Sequence, residues 1–309
     1  MALIPPRLHK GDKIGIVSPS NPVTPDLETQ WQLGQACLEQ LGFEVVAGRH
    51  VRSTSWGYSA SPQEKADDIH RMFVDESIKA IICSQGGATA NSCLAYLDWG
   101  LIRSHPKIFL GISDITALLN AFYRQTGLVT FHGDDLLWGF GREPSQYEQD
   151  EFIARLVDAR VGKIPASRER RTIRSGTAVG RLLGGNLQCL LKLAGTSYFP
   201  DFERAVLFVE AIGIAPEGCD HLFHQLKHMG IFDRVRGVIV GYIDGLQNNE
   251  KALMQMEDVL LRVTSEYDFP ILKVDDFGHN CPNTVLPVGG QVKMDADRCT
   301  IEILDNCVL

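Results

Sequence analysis

No two of the eight cysteines form a CxxC pair; Cys37, Cys83, Cys93, Cys189, Cys219, Cys281, Cys299 and Cys307 are scattered through 309 residues. That spacing excludes a zinc ribbon, and thiols within apolar runs behave as small hydrophobes. No apolar run is long enough to span a bilayer and no signal peptide is recognisable. The chain therefore reads as a reduced cytoplasmic protein with no membrane partner. Positive charge is also scarce: 30 Lys and Arg against 38 Asp and Glu leave a net charge of −8. Nucleic acid is excluded as the main partner, because phosphate binding needs a basic surface. The one dense basic run, Arg168-Glu169-Arg170-Arg171 with Arg174, reads as a solvated linker. There is no GxGxxG stretch, internal repeat or low-complexity tract, so a nucleotide cofactor has no support and none is expected.

What remains is ordinary for a soluble globular protein, 44% apolar and 22% charged, with length enough for two domains that each bury a core. A first strand over Asp12–Ser20 that ends in a turn, and short apolar runs at Phe43–Ala47, Lys79–Cys83 and Ile108–Gly111, alternate with helical stretches at Glu28–Leu41 and from Ser61 to about Val74. Alternation of this kind implies a parallel, doubly wound sheet, flavodoxin-like, over residues 1–140. The polar stretch 141–176 is expected to be the domain linker. Residues 177–309 are expected to form an α/β domain with mixed strands, including runs at Ala205–Glu210, Gly237–Tyr242 and Pro270–Val274, and a terminal hairpin either side of Asp295–Cys299.

Ligands gather at the carboxyl ends of parallel strands. Here those ends are Ser18-Pro19-Ser20, Ser84-Gln85-Gly86-Gly87 and Ser113, which makes Ser20, Gln85 and Gly86 candidates for substrate contact. Ser113 sits where an apolar strand turns into a helix beginning near Thr116. Free amides at a helix start favour developing negative charge, so the position suits a nucleophile. The α/β-hydrolase elbow wants glycine two residues either side of the serine; Gly111 fits and Ile115 does not. Taken alone, a capping role for Ser113 or Asp114 is the simpler reading. Paired glycines Gly86-Gly87 let backbone amides approach a ligand, as an oxyanion hole requires. Glu210 closes an otherwise apolar run, where a charge needs a partner or a task. His279 lies in a loop of turn formers. Together Ser113, Glu210 and His279 supply nucleophile, acid and base. A competing constellation, His221, His224 and His228, falls on one helical face opposite Leu222, Phe223 and Leu226. It reads as the polar side of an amphipathic helix rather than a metal site.

These residues, taken in order, resemble the LD-carboxypeptidases and the related microcin C self-immunity peptidases, serine peptidases with a Ser-Glu-His triad. The resemblance covers nearly the whole chain. It rests on the opening strand through Ser18-Pro19-Ser20, on Gly86-Gly87, and on Gly111-Ile112-Ser113-Asp114-Ile115-Thr116. It continues through Gly180-Arg181-Leu182-Leu183-Gly184-Gly185-Asn186-Leu187, Phe208-Val209-Glu210, and Gly278-His279 to Pro287-Val288-Gly289. It implies Ser113 as nucleophile, Glu210 as orienting acid, His279 as general base, and an oxyanion hole from the amides of Gly87 and Asp114. The expected reaction is metal-independent amide hydrolysis in a cleft between two domains. Its substrate would be a short peptide such as a murein tetrapeptide losing D-alanine, or alternatively a peptidyl-nucleotide antibiotic. A homodimer is implied as well. A silent ligand-binding protein is the non-enzyme alternative. The stretch from Gly86 to Ser92 resembles the immunity branch. Residues 162–176, however, hold no tryptophan where that branch carries a long tryptophan-bearing loop, and His221 stands where the family has arginine.

Overall fold

A computed structural model describes residues 2–309. In chain order the first half contains β1 (Lys13–Val17), α1 (Glu28–Gln40), β2 (Glu44–Ala47), α2 (Pro62–Val74) and β3 (Ile78–Cys83), then α3 (Trp99–Ser104), β4 (Ile108–Gly111), α4 (Thr116–Thr126) and β5 (Thr130–His132). Next come α5 (Gln146–Leu156), β6 (Gly162–Lys163), β7 (Arg171–Arg174), β8 (Thr177–Asn186), α6 (Leu187–Leu191), β9 (Val206–Ile212) and α7 (Pro216–His228). The chain closes with β10 (Gly237–Asp244), α8 (Met256–Val263), β11 (Ile271–Lys273), β12 (Leu286–Val288), β13 (Gln291–Asp295) and β14 (Thr300–Ile303).

The first sheet has the order β12-β5-β4-β3-β1-β2. Its five N-terminal strands are parallel and run 2-1-3-4-5, the flavodoxin-like doubly wound order. β12 comes from the far end of the chain and adds antiparallel to β5. The second sheet, β6-β14-β13-β8-β9-β10-β11-β7, is mixed: β8 to β11 are parallel and the flanking strands antiparallel. The buried strands β4, β9 and β10 are continuous apolar runs because helices cover both faces of a parallel sheet. One apolar cluster runs from Phe73 and Phe109 through Phe122 and Leu187 to Phe208 and Ile239, so it belongs to both sheets. The two halves do not keep wholly separate cores.

Segment 141–176 is not a polar tether. It holds α5, whose start is a capping box of Ser145 and Glu148 and whose Phe152 and Leu156 are buried. The arginine run is solvated only in part: Arg168 and Arg171 are exposed, but Arg170 is buried and Arg174 half-buried. Arg170 lies 2.5 Å from the buried Asp276 and also reaches the carbonyls of Ile164 and Pro165. Arg171 pairs with Glu257, and Arg174 donates to the carbonyl of Thr264. The acids Asp276 and Glu257 and the Thr264 carbonyl that hold these arginines lie far away in sequence. All eight cysteines are free thiols, and among the described residues no helix is long and apolar enough to cross a membrane.

Candidate active site

β4 delivers the chain to Ile112, and Ser113 then takes a left-handed conformation, φ 64°. A non-glycine residue held there costs about 1–2 kcal/mol, and such strain clusters at functional turns. A single 3-10 turn, Ser113–Ile115, leads into α4, and no side chain caps either helix. The capping role is thus excluded for both Ser113 and Asp114. Asp114 is instead fully buried: its carboxylate accepts from Ser20 Oγ at 2.6 Å and from the Ala90 amide at 2.7 Å, and it is paired with Lys192. Ser20 is therefore committed to holding this turn and is not in the wall of the cleft.

The Gly86-Gly87 turn after β3 packs directly on the serine. A Cβ at Gly86 would lie 2.6 Å from Ser113 Cβ and 3.4 Å from the Asp114 amide nitrogen. Gly87 has φ 146°, and a Cβ there would strike the Asn21 side chain at 2.3 Å. The turn can therefore approach the Ser113 side chain only because Gly86 carries none, and Asn21 only because Gly87 carries none.

Glu210 is fully buried within β9, two residues before the strand ends, level with Asn186 of β8. Its Oε2 accepts from His279 Nδ1 at 2.7 Å. His279 sits between Gly278 and Asn280, both at positive φ. The loop is pinned where Asn283 Oδ1 accepts from the Gly278 amide at 2.8 Å and where Asn280 Nδ2 reaches Asp244 at 2.9 Å. Burial alone would raise the Glu210 pKa, but the charge and hydrogen bond of His279 outweigh it and hold the carboxyl below its ordinary value. Burial likewise opposes the imidazolium of His279, yet the charge and hydrogen bond of Glu210 leave its pKa raised above 6.5. Behind them is His132, fully buried edge-on to Phe208 and Phe277. Burial pushes it down to about 4, so it stays neutral.

Ser113 and His279 line one cleft of about 410 Å³, together with Gln85, Gly86, Gly87, Asp134, Asp135, Trp138, Arg142, Asn280 and Asn283. Two latches set the serine's half against the glutamate's half. The Asn186 amide donates to Thr116 Oγ1 at 2.9 Å, and Asn120 Nδ2 donates to the Gly184 carbonyl at 2.8 Å. Both join α4 to β8, which explains the Gly184-Gly185-Asn186 run in structural terms. Sequence reasoning missed Thr116, Asn120, Asn186, Lys192, Asp134, Asp135, Trp138 and Arg142. The strand-end rule, applied to the run that ends at His132, would have found the Asp134-Asp135 pair; the latches have no local signal. His221, His224 and His228 lie on α7, outside the cleft lining, with the last two rings 6.0 Å apart.

The LD-carboxypeptidase N-terminal domain matches residues 14–133 and the LD-carboxypeptidase C-terminal domain matches residues 179–294. The chain belongs to the LD-carboxypeptidase family and is a peptidase of that class. A probable murein peptide carboxypeptidase of Bacillus subtilis is 31% identical, covering 97% of this chain and 93% of its own. The microcin C7 self-immunity protein of Escherichia coli is 29% identical, covering 97% and 95%. A structure of the microcin C7 self-immunity protein in complex with aspartyl sulfamoyl adenosine superposes with a TM-score of 0.91 at 28% identity, over 99% of this chain and all of that one. The two-domain α/β architecture with mixed C-terminal strands is common to both.

Proposed function

We propose that the chain is a serine carboxypeptidase that hydrolyses an amide bond near the carboxyl end of a short peptide, through an acyl-enzyme. The observation that carries the reading is the buried Glu210–His279 hydrogen bond of 2.7 Å in the same cleft as a serine held at positive φ. Glu210 engages Nδ1, which leaves Nε2 to take the proton of Ser113 Oγ as that oxygen attacks the carbonyl. The amides of Gly87 and Asp114 stabilise the resulting oxyanion. His279 then protonates the departing amine, and water repeats the sequence on the ester. Every step is carried by these three side chains and two amides, so the reading is metal-independent. Murein tetrapeptide losing its terminal D-alanine is the first substrate to test. The likeness to the microcin C7 self-immunity protein supports a second reading, cleavage of an aminoacyl nucleotide conjugate.

The test is hydrolysis of murein tetrapeptide, a D-alanine-terminated dipeptide and an aminoacyl sulfamoyl adenylate by the unaltered chain and by Ser113→Ala. The variant is expected to fold and to lose roughly 10⁴-fold or more in kcat. Near-full turnover by Ser113→Ala would end the reading, and absence of fluorophosphonate labelling at Ser113 would favour a silent binding protein.

A further inference from the structure

Arg142 is the one arginine or lysine among the described residues that line the cleft. Its guanidinium carbon lies 4.4 Å from the centroid of the Trp138 indole. One edge is fixed, with Nη1 donating to Asn280 Oδ1 at 2.7 Å. The indole is itself fixed. Its Nε1 donates to Gln85 Oε1 at 3.0 Å, its backbone amide donates to Asp135 Oδ1 at 2.7 Å, and Gln85 Nε2 reaches the Pro22 carbonyl at 2.8 Å. The turn that carries Arg142, Phe140–Arg142, ends at Glu143 in the left-handed region, φ 55°. A long side chain is thus ordered from two sides, against its rotamer entropy.

The partner that would repay this order is missing from the protein. The only side-chain hydrogen bond of Arg142 goes to a neutral amide, whereas the buried Arg155 and Arg170 each hold a buried carboxylate. The two acids of the cleft are engaged elsewhere: Asp134 Oδ1 accepts from Asn283 and Asp135 Oδ1 from the Trp138 amide. A stacked guanidinium with part of its planar fork of donors unused is built for one planar anion. The nearby acids disfavour a dianion such as phosphate. Hydrolysis that removes a carboxyl-terminal residue puts one free carboxylate beside the scissile bond.

We propose that Arg142, stacked on Trp138 and tied to Asn280, binds the terminal carboxylate of the peptide and makes the enzyme a carboxypeptidase rather than an endopeptidase. This rests on the peptidase reading above. Because Asn280 follows His279 and Gln85 precedes the Gly86-Gly87 turn, the carboxylate clamp shares its supports with the base and with the turn that packs on Ser113.

The experiment compares kcat/KM for murein tetrapeptide and for the same peptide with its terminal carboxyl converted to an amide. The unaltered chain is expected to favour the free acid by roughly 10²-fold, the scale on which losing one member of a hydrogen-bonded charge pair acts. In Arg142→Gln that preference should collapse towards unity, mainly through KM, and Arg142→Lys should recover part of it. Thermal melting confirms that each variant is folded. If the unaltered chain cuts acid and amide equally, or if a folded Arg142→Gln or Arg142→Lys keeps the full preference, the proposal is overturned while the peptidase reading stands. Failure of that reading looks different: no peptide is cut, or Ser113→Ala cuts it normally, and the proposal falls with it.

Discussion

Gly86 has no space for a methyl group because Ser113 already fills it: a Cβ there would sit 2.8 Å from Ser113 Oγ as well as against its Cβ. Gly86→Ala should therefore fold yet push the serine aside. A displacement of this kind costs roughly 10² in rate, measured as the fluorophosphonate labelling rate of the variant against that of the unaltered chain. Glu210 invites a complementary substitution. Glu210→Gln keeps the shape but removes the charge that fixes the His279 tautomer, so kcat should fall by up to about 10⁴-fold with little change in KM. The pH profile provides the sign. The base works only when neutral, and Glu210 raises its pKa above 6.5. In the unaltered enzyme kcat/KM should thus fall as pH drops through a value above 6.5. In Glu210→Gln the limb should move to lower pH, because burial then acts without the opposing carboxylate. An acid limb that stays in place would detach Glu210 from His279.

At the scale of elements, charge composition misled where its partners were remote. Four arginines within residues 168–174 look solvated in a one-dimensional reading, and nothing nearby announces that Asp276 will meet Arg170 more than a hundred residues later. The α5 helix was more accessible. Ser145-Gln146-Tyr147-Glu148 spells a capping box, but the polar residues around it hid the stripe of Phe152 and Leu156. Strands β1, β3, β4, β9 and β10 were readable because a doubly covered parallel strand is an unbroken apolar run, whereas β5 and β12, with three residues each, carry too little pattern. The Arg170–Asp276 pair makes a stability prediction. Both side chains are almost wholly buried, 3% and 1% exposed. Arg170→Met would leave Asp276 charged without its cation, at a cost of about 3 kcal/mol or more, read as a lower denaturant midpoint. An unchanged midpoint would show that Ser167, which also donates to Asp276, is sufficient.

For the whole molecule, the parts of the candidate site that could be read were a serine at a strand end, a glycine pair at another and an acid in an apolar run. Their assembly was not legible. It depends on α4 meeting β8 through Thr116, Asn120 and Asn186, and on a cluster of apolar side chains common to both sheets. Contacts of that kind are non-local and leave no periodicity in either segment.

The strand β12 has a further consequence, which concerns the order of events on the ribosome. The N-terminal sheet ends at β5, and the partner that covers that edge, Leu286–Val288, is made long after it. Until it emerges, the nascent first sheet presents Thr130–His132 as a bare hydrogen-bonding edge, open to non-native pairing. The same late segment follows the loop that bears His279 and moors it to the first sheet. A growing chain thus acquires Ser113 well before His279. While the β5 edge lies open, the chain has Ser113 but not yet the His279 loop.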